Sequence, residues 1–219
     1  MKTSFIFAGI YHLDNLRWLE SCGYDSFELD LRPRSFQFLP HYQAHDIIKG
    51  ALPTSRFQIH FQNENQMLIE KFIADCDSTQ VNYTFSGQVS ASVLKSLDVD
   101  FSLEIDSDNE LILDDSEVLS LSRLQKLTIN YGYLHYQLMN AKIINLLKKL
   151  APIAVPKGLK LKFSDDLATS MWEMIKFDPI IIDLDARVEN GYRQFSRDLF
   201  ESEFSRLTKL YPELVASSL

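Results

Sequence analysis

Asp25-Ser-Phe-Glu-Leu-Asp-Leu-Arg-Pro-Arg-Ser-Phe-Gln-Phe-Leu-Pro40 is the stretch on which the fold turns. Phe27, Leu29 and Leu31 alternate with Glu28, Asp30 and Arg32, the period of two expected of a strand whose faces meet different surroundings. Pro33 withdraws a backbone donor and ends the pairing. Arg34 and Ser35 then form a basic, hydrogen-bonding loop beyond the strand's C-terminal end. A strand that hands polar groups to such a loop predicts a site-bearing βα unit.

The unit recurs along the chain. Further strands are predicted over residues 4–8, 56–62, 81–87, 99–106, 126–130, 159–163 and 179–185. Apolar residues at helical spacing follow them: Leu13, Leu16, Leu19 and Cys22; residues 42–49; Leu68, Ile69, Phe72 and Ile73; Val93, Leu94 and Leu97. The later helices are marked by Ile143, Ile144, Leu147 and Leu150, by Leu167, Met171, Met174 and Ile175, and by Phe200, Phe204 and Leu207. Eight such units in 219 residues predict an α/β protein, a single (β/α)8 barrel spanning residues 1–219. A doubly wound open sheet is the rival, but Ala8-Gly-Ile-Tyr-His12 after the first strand is not a glycine-rich phosphate fingerprint. The acidic insertion 107–115 fits either a turn or a hairpin.

Composition narrows the partners. At 46% hydrophobic and 24% charged residues the chain is ordinary globular material, with no run near the roughly 18 apolar residues of a membrane span. The N-terminal apolar patch is too short for a signal peptide, so a cytoplasmic protein is expected. A net charge of −8 disfavours nucleic acid, whose phosphates need a basic face. Cys22 and Cys76 have no metal-ligand spacing and are expected to be buried and inert.

The strands are unusual in being polar on one side. Phe27, Leu29, Leu31, Phe57, Ile59, Phe61, Phe101, Leu103, Ile105, Leu159, Leu161 and Phe163 must face the helices. Glu28, Asp30, Gln58, His60, Thr84, Ser86, Ser102, Glu104, Thr128, Asn130, Lys160, Lys162, Asp183 and Asp185 must then line the bore, where aliphatic residues are usual. Buried charges have to be paired, so Lys160 and Lys162 on the seventh strand are expected to pair with Asp183 and Asp185 on the eighth.

With these units laid out, the chain resembles the phosphoribosylanthranilate isomerases, single (β/α)8 barrels that carry out an Amadori rearrangement of a phosphorylated aminoaldose. Gly23, Asp25, Leu31, Pro33, Arg34 and Ser35 keep that family's glycine, aspartate, apolar, proline, basic and serine positions around the second strand. Thr84-Phe85-Ser86-Gly87 stands for its Q-L-H-G, and Asp183 to Arg193 for its last motif. The departures fall on the chemistry. Ala8 stands where the resemblance places a cysteine general base, and Asn130 where it places an aspartate general acid. Gln37 replaces an arginine, Lys162-Phe163-Ser164 replaces a Gly-Gly whose amides approach phosphate, and Asp185-Ala186-Arg187 replaces Ser-Ser-Gly.

The resemblance therefore implies a barrel that has kept the family's frame and lost its isomerase site. No residue is assigned to catalysis, and no cofactor or metal is expected. Arg34, Ser35, Ser86, Lys162, Asp183, Asp185 and Arg187 are the expected contacts for a small anionic or sugar-like ligand at the C-terminal face. Two alternatives stay open. One is a working isomerase with Asp114 as acid and His12 or His60 as base. The other is a different enzyme using Lys162 as a Schiff-base nucleophile near Asp183 and Glu104. A metal site at His60, Glu104 and Asp183 is disfavoured because those residues lie on separated strands. Phe36, Phe38, Tyr131, Tyr133 and Tyr136 fit either packing or stacking at the mouth.

Overall fold

The computed structural model describes residues 4–62, 64–76, 80–87, 89–165 and 177–210. The first half runs β1 (Phe5–Ala8), α1 (Leu13–Ser21), β2 (Ser26–Asp30), α2 (His41–Gly50), β3 (Arg56–Phe61), α3 (Gln66–Asp75), β4 (Val81–Phe85) and α4 (Ala91–Leu97). The second runs β5 (Phe101–Ile105), α5 (Ser116–Leu119), β6 (Leu124–Asn130), α6 (Tyr131–Met139), α7 (Ile143–Leu150), β7 (Lys157–Lys162) and β8 (Ile180–Asp183). A hairpin of β9 (Glu189–Gly191) and β10 (Gln194–Phe195) and the final helix α8 (Arg197–Leu210) complete it. The helix expected around Leu167, Met171, Met174 and Ile175 lies outside the described residues.

Strands β1 to β8 pair in sequence order, all parallel, and β8 returns to β1 to close the barrel. The eight expected strands are all present, with ends moved by one or two residues. Register explains why alternation reads so clearly. Phe27 pairs with Phe57, Leu29 with Ile59, Ile59 with Tyr83 and Phe85 with Leu103, so apolar residues of neighbouring strands form one continuous outer skin. Leu16 and Leu19 of α1, Ala44 and Ile47 of α2, Ile69 and Phe72 of α3 and Leu94 of α4 are buried against it. Each such leucine or phenylalanine contributes about 1.5–3 kcal/mol by leaving water.

Closure is secured by an aromatic cluster. The Phe200 ring of α8 lies 5.4 Å from Phe7, 5.2 Å from Trp18 and 5.8 Å from Phe163, which binds the last helix to β1, α1 and the end of β7. The insertion 107–115 is a turn followed by a 3-10 helix, Glu110–Asp114, rather than a hairpin. Asn109 anchors it, accepting from the Asp106 amide at 2.8 Å and donating to the Glu104 carbonyl at 2.5 Å. Cys76 is buried as expected and its burial pushes the thiol pKa up, but Cys22 is exposed where α1 ends. Among the described residues no helix is long and apolar enough to cross a membrane.

A charge-filled bore opening on a C-terminal cavity

The inward residues of β2, β3, β5, β7 and β8 meet in the middle of the barrel. Lys160 Nζ lies 2.5 Å from Glu28 Oε1, 3.3 Å from Glu104 Oε2 and 3.7 Å from Asp183 Oδ1. His60 Nδ1 lies 3.3 Å from Glu28 and 3.6 Å from Glu104. All five residues are buried. Burial opposes the ionisation of Glu28, but the Lys160 ammonium and the contact with His60 outweigh it and hold that carboxyl below its usual range. Glu104 is lowered in the same way, by Lys160, His60 and Arg32 against burial. Lys160 is raised, since Asp183, Glu104 and Glu28 together overcome its own burial.

Asp183 behaves differently. Burial, reinforced by the nearby Glu28 and Glu104 charges, pushes it up to about 6 despite Lys160. Glu28 also accepts hydrogen bonds from Lys160 and His60, whereas Asp183 Oδ1 has only the 3.7 Å ion pair, so the same ammonium leaves Asp183 raised. The expected seam of ion pairs thus forms through Lys160 and Asp183 only. Lys162, the last residue of β7, is exposed at the cavity rim, and among the described residues it enters no ion pair.

The bore opens into a cavity of about 480 Å3 bounded by the ends of β5 to β8 and the loops after β2, β7 and β8. Four cations line it, Arg32, Lys160, Lys162 and Arg187, against four carboxylates, Glu104, Asp106, Asp183 and Asp185. Ser35 also lines it, donating to Asp30 at 2.6 Å and accepting from the Gln37 amide at 3.0 Å. Arg34 does not; it points to solvent, and the basic group at the site is Arg32. Arg32 forms a two-pronged pair with Asp30 at 2.8 and 2.7 Å, which holds Asp30 down to about 2 against the effect of burial. The period-two pattern places Arg32 on the bore face, whereas the Pro-basic-Ser likeness points to Arg34. Ser86 is likewise not part of the cavity: it is buried, with its amide bonded to the Phe61 carbonyl at 2.9 Å.

Other expectations are corrected by the same geometry. Asp114 lies on the outer surface, paired with Lys149 at 2.7 Å, and cannot serve as an acid at the mouth. His12 is an exposed residue ahead of α1, and His60 is sealed inside the bore. Glu28, His60 and Glu104 come together, with candidate ligand atoms all within 4.8 Å of one another. Separation along the sheet is therefore no argument against a metal set, because side chains converge across a closed bore. The ammonium of Lys160 already contacts both carboxylates of that set and supplies the positive charge a metal ion would bring.

At the mouth, Ala8 is fully buried, in register with Glu28 and Asp183. The Asn130 amide is engaged as the cap of α6, its Oδ1 accepting from the Gly132 N–H at 3.0 Å. Tyr131 to Tyr136 form the start of α6; Tyr131 and Tyr133 are buried and Tyr136 is exposed. Phe36 meets Tyr192 edge-to-face at 5.5 Å, and Arg193 donates to the Phe36 and Phe38 carbonyls at 3.0 and 2.9 Å. The loop after β2 is thereby tied to the β9–β10 hairpin. Gly9 lies under both mouth loops: a Cβ there would be 2.7 Å from Gln37 Nε2 and 3.0 Å from the Leu184 carbonyl, at a φ of +86°.

The loops after β7 and β8 carry one further arrangement. Asp185 Oδ2 accepts from the Ser164 N–H at 3.2 Å and its Oγ–H at 2.7 Å, while Oδ1 accepts from the Arg187 N–H at 3.0 Å. Backbone amides at this corner of such barrels commonly hold phosphate; here they hold the protein's own carboxylate.

No protein-family profile matches the chain, and no curated protein matches it in sequence. Solved structures do. Phosphoribosyl anthranilate isomerase from Thermotoga maritima superposes with a TM-score of 0.66 at 14% identity, covering 94% of this chain and 98% of that one. The Thermus thermophilus enzyme gives 0.63 at 13%, over 94% and 99%. An HpcH/HpaI aldolase from Desulfitobacterium hafniense gives 0.62 at 11%, over 97% and 94%. Proteins of different chemistry match about equally well, so the likeness reports the frame and leaves the site to speak for itself. The chain shares, over nearly its whole length, the (β/α)8 fold of the phosphoribosylanthranilate isomerases.

Proposed function

We propose that this protein is a phosphoribosylanthranilate isomerase-like barrel that no longer performs the isomerisation and binds a small anionic or sugar-like ligand at its C-terminal mouth, in the cytoplasm. The carrying observation is Asp185, whose carboxylate takes the Ser164 and Arg187 amides that a substrate phosphate would need. Ala8 offers no proton acceptor at the end of β1, and Asn130, whose Oδ1 caps α6, is a carboxamide that does not titrate. The charge-balanced lining of the cavity suits a small polar ligand better than an apolar one.

One observation favours an active isomerase with reassigned groups. Asp183 borders the cavity with a pKa of about 6, close to the range in which a carboxyl exchanges protons at neutral pH. Complementation decides between the two readings. Expression in a tryptophan auxotroph lacking the isomerase is expected to give no growth without tryptophan; growth that is lost with Asp183→Asn would establish the second reading.

A further inference from the structure

The far end of the barrel has a cavity of its own, of about 310 Å3. It is bounded by residues at or near the starts of the strands, among them Ser26 of β2, Arg56 of β3, Asn82 of β4 and Lys126 of β6, and so lies at the N-terminal mouth. We propose that this cavity is a second binding site, for a small oxyanion, with Lys126 as its inner cation and Arg56 at its edge.

Lys160 is held by three carboxylates, whereas Lys126 enters no ion pair among the described residues. Its Nζ donates to Gln58 Oε1 at 3.2 Å. That amide is fixed in place, since Gln58 Nε2 donates to Thr84 Oγ1 at 2.7 Å. Two carboxylates act on Lys126 from a distance, and both are committed. Glu28 is bonded to Lys160 and His60, and Asp178 accepts from the Ser4 amide and hydroxyl at 3.0 and 2.8 Å. Asp100, at the cavity's edge, faces Arg123 at 3.8 Å.

Burial consequently dominates, and Lys126 is lowered to about 8. An ammonium under that strain gains from any anion that reaches it, because pairing restores the charge state that burial opposes. Arg56 adds a second, exposed cation with no side-chain partner among the described residues, and Asn82 and Gln125 line the same cavity with neutral hydrogen-bonding groups, while the Ser26 hydroxyl is already donated to Asp25 at 2.8 Å. Lysine as a point charge with arginine beside it is the donor set that phosphate or carboxylate oxygens accept from. This site is independent of the C-terminal mouth and of the function proposed for it.

The test is carried out on the full chain labelled with 13C-lysine, following the 13Cε resonance of Lys126, assigned by its absence in Lys126→Met. Inorganic phosphate and malonate are titrated separately, and calorimetry gives the affinities. Either probe is expected to shift the midpoint of the Lys126 titration to higher pH; response to one alone supports the site and names its oxyanion. Lys126→Met should weaken binding by about tenfold or more, with Lys126→Arg largely restoring it. Arg56→Ala, a change at an exposed side chain, should weaken it by a smaller factor. If neither probe moves the Lys126 resonance, or Lys126→Met binds as the wild type does, the site does not exist.

Discussion

Replacing Lys160 with methionine keeps an unbranched side chain, one atom shorter, and removes its charge, leaving Glu28, Glu104 and Asp183 to face one another in the bore. The three carboxylates lie 2.5, 3.3 and 3.7 Å from the ammonium that would be lost. Removing one partner of a buried pair costs about 3–5 kcal/mol. A second route to the magnitude comes from proton uptake, by which the variant relieves the repulsion. Protonating a carboxyl whose ordinary value is 4.5 costs about 3.4 kcal/mol at pH 7. The two routes agree, and a loss of about 3–5 kcal/mol is expected in urea denaturation at pH 7. The pH dependence carries the sharper signature. In the wild type, Glu28 and Glu104 are lowered, so their stabilisation is present above their ordinary value and lost as pH falls. In the variant they are raised, and folding is favoured at low pH. The gap between the two proteins should therefore narrow on acidification, and Glu28→Gln in the variant background should recover part of the loss. A loss below about 1 kcal/mol at pH 7, or a gap that widens as pH falls, refutes the account of the bore as a set of charges held by one ammonium.

Asp183 should impose the opposite trend. Raised from 3.8 to about 6, it favours the folded state while protonated, and about 3 kcal/mol of stability is lost as pH rises from about 4 through 6; Asp183→Asn should lack that component when urea midpoints are compared across the range. Gly9→Ala should lower stability by about 1–3 kcal/mol in thermal melts, since the residue combines a φ of +86° with a Cβ position 2.7 Å from Gln37; an unchanged melt would mean that the mouth loops do not close over β1 in this way.

Alternation along the strands made the barrel and most of its bore legible before any coordinates. Glu28, His60, Glu104 and Lys160 follow from the rule that side chains two apart share a face, and ring closure brings them together. What the sequence hid was proximity across the ring. His60 and Glu104 belong to strands two positions apart in the sheet, yet their side chains approach to 3.6 Å through the interior, a relation that no local spacing encodes. Strand ends were the other source of error. Lys162 obeys the inward alternation of β7 but is its last residue, and beyond the sheet nothing fixes the side chain's direction. Arg34 and Arg32 sit on either side of Pro33, and only the chain's path there shows which one returns over the bore. Lys126 lies near the start of β6, but that it enters no ion pair among the described residues depends on everything around it, not on its neighbours in sequence.

Asp185 has a consequence for how this barrel would meet a diffusing phosphate. Anchored to the backbone a few bonds away, its carboxylate is already in hydrogen-bond contact with the Ser164 and Arg187 amides, without the entropic cost a free anion has to meet. A free anion has to evict this rival and then tolerate its charge, a repulsion of about 4 kcal/mol at 4 Å near a protein surface. The amides themselves stay aligned. Such a corner is latched from within: its hydrogen-bond donors survive, and the protein's own carboxylate keeps them occupied.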